Sequence, residues 1–327
     1  MGITLKSAKF LLGARKRGVR FDRTLTLGRQ SLYLLDDDFA ILRKRYQLEV
    51  DDSRSITGEK FADSFFEAFL GASEVDSMDL SGWEGATIIH DLNADIPPDL
   101  EMRYDAVVDG GTLEHIFNFP VALKNCMRMV RKNGTLFICN VANNYFGHGF
   151  YQFSPEVFFR ALSPENGYRI ERFVLFEHPY PSAELSTGER WYEVVDPDAV
   201  KRRVKLITKI PAAIMIEATR VGDGPIFLHP PQQSDYATAW AGESRSGNED
   251  QSIPQPPRKE RDPLGRASEI SGEILSERNP WGIYRLIYSL MPHRFRRQRM
   301  LAGLYQRSLI PSLNDKRFFR PIREEDQ

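Results

Sequence analysis

Tyr104-Asp105-Ala106-Val107-Val108-Asp109-Gly110-Gly111-Thr112-Leu113-Glu114-His115-Ile116 opens the stretch that decides the fold, and Arg131-Lys132-Asn133-Gly134-Thr135-Leu136-Phe137-Ile138-Cys139-Asn140-Val141 closes it. Tyr104 to Val108 reads as a buried strand that stops at an acid and two glycines. Asn118 can cap the helix that follows, and Pro120 suits its first turn because the missing N–H has no helical partner there. Ala122, Cys126, Met129 and Val130 form the buried stripe of that helix. Asn133-Gly134 is its expected end, glycine taking the left-handed conformation of a C-cap. Thr135 to Val141 is then a continuous apolar run, as in a strand covered on both faces. Strand, helix and strand in this order make the unit of a parallel sheet.

The same alternation extends to either side. Thr24 to Leu27 is a short β-type run ending at Gly28, apolar positions 61, 65, 66 and 69 predict a helix over Phe61 to Leu70, and Glu74 to Met78 predicts a strand ending at Asp79. Ala86 to Ile89 reads as a buried strand ending at His90-Asp91. Ser154-Pro155 starts a helix through Leu162, and Tyr168 to Phe176 and Ile210 to Val221 supply further strands. The fold class expected is α/β, an open, mostly parallel Rossmann-like sheet with helices on both faces, plus a C-terminal helical tail.

The whole chain has 44 basic and 45 acidic side chains, a formal net charge of −1, so no global field for nucleic acid exists and no nucleic-acid partner is expected. With 41% hydrophobic and 27% charged residues the composition is that of a globular protein, and no apolar stretch approaches the ~18–20 residues of a membrane span. Cys126 and Cys139 have no second pair to complete a zinc site or a disulfide framework. A reducing, cytoplasmic setting is therefore expected, and no metal.

Four segments are expected. Residues 1–22 carry basic groups and no acid before Asp22, with Leu5, Ala8, Leu11 and Leu12 at helical spacing, which predicts an amphipathic basic surface helix. Residues 23–221 form the α/β domain. Residues 222–280, rich in Gln, Ser, Gly, Glu and Pro, read as a flexible linker. Residues 281–327 read as a basic helical tail, with ten Lys or Arg against four acids. Its cluster Arg294-Phe295-Arg296-Arg297 could make a peripheral membrane or protein contact.

In an open α/β sheet, ligands bind beyond the carboxyl ends of the strands. Asp79, Asp91 and Asp109 all stand at such ends, where a carboxylate can accept hydrogen bonds from vicinal hydroxyls or face an exocyclic amine. The stretch quoted above, with its Leu-Glu-His after one strand and its Lys-x-Gly turn before the next, resembles the class I S-adenosylmethionine-dependent methyltransferases over roughly residues 85–220. That resemblance implies S-adenosylmethionine as cofactor. By position it implies that Leu27 and Gly28 border the cofactor, Asp79 holds its ribose hydroxyls, Asp91 and Leu92 border its adenine, and Asp109 and Gly110 to Thr112 lie near its methionyl part.

The sequence also departs from that family. Thr26 stands at the usual acidic position of the first strand, and Gln30 at the second glycine of the turn, where a side chain obstructs the close approach of backbone and cofactor. Extra helices such as Asp38 to Tyr46 must fill the long interval from Gly28 to Asp79. Too few residues separate Asp79 from Thr87 for a helical crossover.

No P-loop, Gly-x-Gly-x-x-Gly, Gly-x-Ser-x-Gly or His-Glu-x-x-His pattern is present. Methyl transfer needs less, because a sulfonium is already a strong electrophile and the protein mainly aligns the acceptor and removes its proton. His115 beside Glu114, and His148 between Gly147 and Gly149 in a loop expected to roof the acceptor pocket, are the candidate catalytic residues. The sequence thus points to methyl transfer onto an oxygen or nitrogen of a small-molecule or glycan-type acceptor. The alternative is a catalytically inactive binding or scaffold protein on the same fold, which the altered Gly28-Arg29-Gln30 turn favours.

Overall fold

The computed structural model describes residues 2–48, 56, 58–178, 190–201, 203–237 and 313–326. Its strands are β1 (Gly2–Ile3), β2 (Arg23–Leu27), β3 (Ser31–Leu32), β4 (Glu74–Asp79), β5 (Ile88–Ile89), β6 (Tyr104–Asp109), β7 (Val130–Asn143), β8 (Tyr168–Glu177), β9 (Trp191–Val194), β10 (Ala212–Arg220) and β11 (Phe319–Ile322). Nine of them form one sheet in the order β11-β9-β8-β10-β7-β6-β2-β4-β5, while β1 and β3 pair separately. From β5 to β7 every neighbouring pair is parallel. β10 and β9 run against the rest, so the sheet is mostly parallel, as expected.

β2 lies between β4 and β6, so the chain winds outward from it in both directions. That reversal of strand order opens a crevice beyond Leu27 and Asp109, the place where α/β sheets bind ligands. One core cluster, with Leu25, Val107, Leu123, Cys126 and Ile214, holds one face, and the other, with Phe10, Phe39, Phe65, Phe69 and Phe137, holds the opposite face. The Phe119–Met129 helix belongs to the first, and the Leu5–Lys16, Asp36–Tyr46 and Asp63–Leu70 helices to the second.

Several expectations need correction. The Leu5–Lys16 helix is not a surface helix: Leu5 to Ala14 are all buried, Lys6 and Lys9 included, and Phe10 packs edge-on against Phe137 of β7. It belongs to the domain that was expected to start at residue 23. The Phe119–Met129 helix stops four residues short of Asn133, and Val130 is already extended. Asn133, not Gly134, has the positive φ, +62°. Gly134 is there for space, since a β-carbon would lie 2.8 Å from the carbonyl oxygen of Asp105 on β6. Asn118 makes no side-chain cap; it bonds instead to Asn93, whose carbonyl accepts from its Nδ2 at 3.1 Å.

β5 is shorter and less buried than Ala86 to Ile89 suggested. Only Ile88 and Ile89 pair with β4, and Ile89 is 56% exposed at the sheet edge. A two-residue ladder is what a connection without a helix can close. The tail is corrected at its end, where Phe319–Ile322 is a strand that pairs antiparallel with Trp191–Val194 and buries Phe319. The expected linker 222–280 is corrected at its start, where Ile226 is buried in the core and the Phe227 and Ser234 amides donate to Asn166 Oδ1 and Glu156 Oε1 at 2.9 and 2.8 Å; its remainder from 238, and the tail through Arg294-Phe295-Arg296-Arg297 to 312, lie outside the described residues.

Candidate functional site

The turn after β2 forms the floor of the crevice. Gly28 leaves the strand with φ +67°, a conformation that favours glycine, and its N–H donates to the carbonyl of Met78 at 2.7 Å. A β-carbon there would lie 3.6 Å from Thr112 Oγ1 and 3.8 Å from Asp79 Oδ2, in the throat of the crevice. Thr112 Oγ1 donates to the carbonyl of Leu27 at 2.8 Å, tying the turn after β6 to the end of β2. Around this throat is a cavity of about 370 Å³ lined by Leu27, Gly28, Asp79, Asp91, Leu92 and His115, among others. Its size falls in the ~300–1,000 Å³ range of small-molecule sites. The Asn93 backbone and side-chain amides donate to Asp91 Oδ1 at 2.9 and 2.8 Å, which holds the Asp91 carboxyl below its ordinary range.

Asp109 departs from its expected place. Its side chain is fully buried and lines neither cavity, because it builds the turn itself. Oδ1 accepts from the amides of Gly111, Thr112 and Leu113 at 3.2, 2.7 and 3.3 Å, and Oδ2 accepts from Asn140 Nδ2 at 3.1 Å. Burial nevertheless pushes its pKa up to about 6.

Gln30 is the residue whose placement the sequence signalled only as a departure. Its side chain is 4% exposed, its Nε2 donates to the Leu27 carbonyl, and its Oε1 presses on Gly110, where no β-carbon would fit. Oε1 itself is buried and accepts no hydrogen bond. The amide therefore narrows the crevice between Gly28 and Gly110, with its Oε1 turned onto the Gly110 backbone.

A second cavity, about 440 Å³, lies beyond β6 and β7. Gly110, Glu114, Asn140, Tyr145, Phe146 and His148 are among its walls, and Tyr33 and Phe176 contribute further aromatic surface. The loop that carries His148 is fastened to Glu114: the Phe150 and Tyr151 amides donate to the Glu114 carbonyl at 2.8 and 3.2 Å. Three expected catalytic side chains thereby meet. Glu114 Oε1 stands 3.8 Å from His115 Nε2 and 3.6 Å from His148 Nε2, and the two imidazole rings are 5.2 Å apart, centre to centre.

The carboxyl of Glu114 is 1% exposed, whereas the His115 and His148 side chains are 41% and 45% exposed. Burial, then the neighbouring Asp109, push Glu114 up to about 8, so it holds a proton at neutral pH. Burial, then His148, lower the pKa of His115, which favours its neutral, proton-accepting form. His115 lines the first cavity, and Glu114 and His148 line the second.

No family model and no curated protein sequence matches the chain. Among solved structures it is similar to the 1,6-didemethyltoxoflavin-N1-methyltransferase of Burkholderia thailandensis, which holds S-adenosylhomocysteine, at 14% identity and a TM-score of 0.34. That likeness covers 66% of this chain and 77% of that one. It is also similar to a SAM-dependent methyltransferase of Aquifex aeolicus at 11% identity and a TM-score of 0.33, over 65% of this chain and 93% of that one.

Proposed function

We propose that the protein is an S-adenosylmethionine-dependent methyltransferase that binds its donor in the 370 Å³ cavity and its acceptor in the 440 Å³ cavity. One observation carries this reading: two cavities of small-molecule size adjoin at Glu114, His115 and His148 beyond the strand-order reversal at β2. The residues fit the donor. Gly28 leaves its throat open, Asp79 and Asp91 offer carboxylates, and Leu27 and Leu92 offer apolar surface. Gly110, expected beside the donor, lines the acceptor cavity.

The donor, when bound, supplies the electrophilic methyl group. The chain's own residues orient the acceptor and accept its proton at an imidazole Nε2 of His115 or His148, with Glu114 behind them. The aromatic walls of the second cavity suit a small-molecule acceptor, including the ring faces of a glycan.

Calorimetry with S-adenosylmethionine and S-adenosylhomocysteine tests this, with saturable binding of both expected. No heat with either would favour the second reading, a binding protein on the same fold, which the Gln30 amide across the crevice supports. Among the described residues no helix is long and apolar enough to cross a membrane.

A further inference from the structure

We infer that Glu114, His115 and His148 form a binding site for one divalent transition-metal ion, zinc being the best match to two imidazoles and a carboxylate. Nothing in the sequence announced it. His115 follows Glu114 directly, but His148 comes from another loop, and the spacing matches no metal-binding motif. Only the fold brings the three together.

The geometry is that of a site close to its loaded form. One ligand atom from each side chain lies within 4.8 Å of the other two. A tetrahedral ion with bonds of ~2.0–2.1 Å spaces its ligand atoms by roughly 3.2–3.5 Å, so the observed 3.6 and 3.8 Å need only a small contraction. The parts that must stay still are held and those that must move are free. Glu114 is fixed through its carbonyl by Phe150 and Tyr151, while both imidazoles are about half exposed and can swing inward.

The carboxylate itself asks for a cation or a proton. Glu114 Oε2 is buried and without a hydrogen-bond partner. An unpaired buried carboxyl oxygen is costly, and a bound ion on the same carboxylate would relieve it. Three protein ligands would leave a coordination position open, and Glu114 and His148 line the second cavity. Imidazole nitrogen with carboxylate oxygen selects first-row ions such as zinc or cobalt over magnesium, which prefers oxygen alone.

A consequence for chemistry rests on the methyl-transfer reading above, although the ion site does not. An Nε2 that holds an ion cannot also take a proton. In the loaded protein, an acceptor O–H or N–H would bind the ion at the open position and become more acidic, its proton passing to solvent past the exposed rings.

The test needs neither donor nor acceptor. The full chain is stripped with a chelator, and zinc binding is followed by equilibrium dialysis, with cobalt as a spectroscopic probe. One equivalent of zinc and a tetrahedral cobalt absorption band are expected. His115→Ala and His148→Ala should each weaken binding at least tenfold, Glu114→Gln should weaken it similarly, and a hundredfold excess of magnesium should not compete. Circular dichroism confirms that the variants fold. Undiminished binding by the His115→Ala/His148→Ala double variant, or no uptake by the wild type at 100 µM zinc, overturns the inference. Zinc uptake without any donor binding would leave the ion site standing and remove methyl transfer; donor binding without zinc uptake would do the reverse.

Discussion

Gly149 lies so close to Glu114 that a β-carbon on the glycine would sit 2.7 Å from the Glu114 carbonyl oxygen and 3.1 Å from its Cγ. Gly149 also has φ +72°, so both its space and its backbone conformation exclude other residues. The loop can lay His148 against Glu114 only because this position has no side chain. Gly149→Ala should therefore cost about 1–3 kcal/mol of stability and displace His148. Urea unfolding checks this, with Gly147→Ala as a comparison, since a β-carbon at Gly147 meets nothing within 4 Å although its φ is also positive. Equal stability of Gly149→Ala and the wild type would mean the loop is not held as described.

Asp79 tests the donor cavity. Asp79→Ala should weaken S-adenosylmethionine binding by about 1.5–3 kcal/mol, the range for a hydrogen bond to a charged group. Calorimetry measures it directly. An unchanged dissociation constant takes Asp79 out of the site.

Glu114 should leave a signature in the pH dependence of stability. Its folded value of about 8 exceeds the ~4.3 of an unfolded chain, so between these values the folded protein holds a proton that the unfolded chain has released. Stability contributed by that proton is fully present below about pH 4 and is lost as pH rises toward 8. Asp109, raised to about 6, acts with the same sign over its lower window. In chelator, Glu114→Gln should flatten the decline between pH 6 and 8 and gain on the wild type at pH 9. Urea midpoints at pH 5, 7 and 9 suffice, and parallel curves for the two proteins would contradict a buried, protonated Glu114.

The histidines separate turnover from binding. His115→Gln and His148→Gln should lower methyl transfer by ~10²–10⁴-fold while donor affinity stays near that of the wild type. Single-turnover rates and calorimetry on the same preparations give both numbers. Full turnover in both variants would leave catalysis to alignment alone.

The parallel half of the sheet was legible in the sequence because its strands are short β-type runs with clear stops, Gly28 after β2 and the acids Asp79 and Asp109 at the ends of β4 and β6. β2, β4, β6 and the core of β7 stand where Leu27, Asp79, Asp109 and Val141 placed them. What escaped were features set by partners distant in the chain. Val130 to Asn133 continued a helical pattern, but pairing with Tyr104 draws Val130 into β7. Asp109 stands at a strand end like Asp79, and only the three amides that converge on Oδ1 show that it faces inward. Glu114 and His115 were readable as a candidate pair, whereas their meeting with His148 depends on the loop fastened by Phe150 and Tyr151.

β11 carries a consequence for how the chain acquires its shape. Until Phe319–Ile322 arrives, the outer edge of Trp191–Val194 is an open strand edge, the kind of surface that invites pairing with other chains. At synthesis rates of ~5–20 residues per second, residue 319 follows residue 194 by roughly 6 to 25 seconds. During that interval a nascent chain would carry the candidate site complete and the sheet edge bare. Expression of fragments that end before 319 should therefore give more aggregate than the full chain even where the site residues are all present.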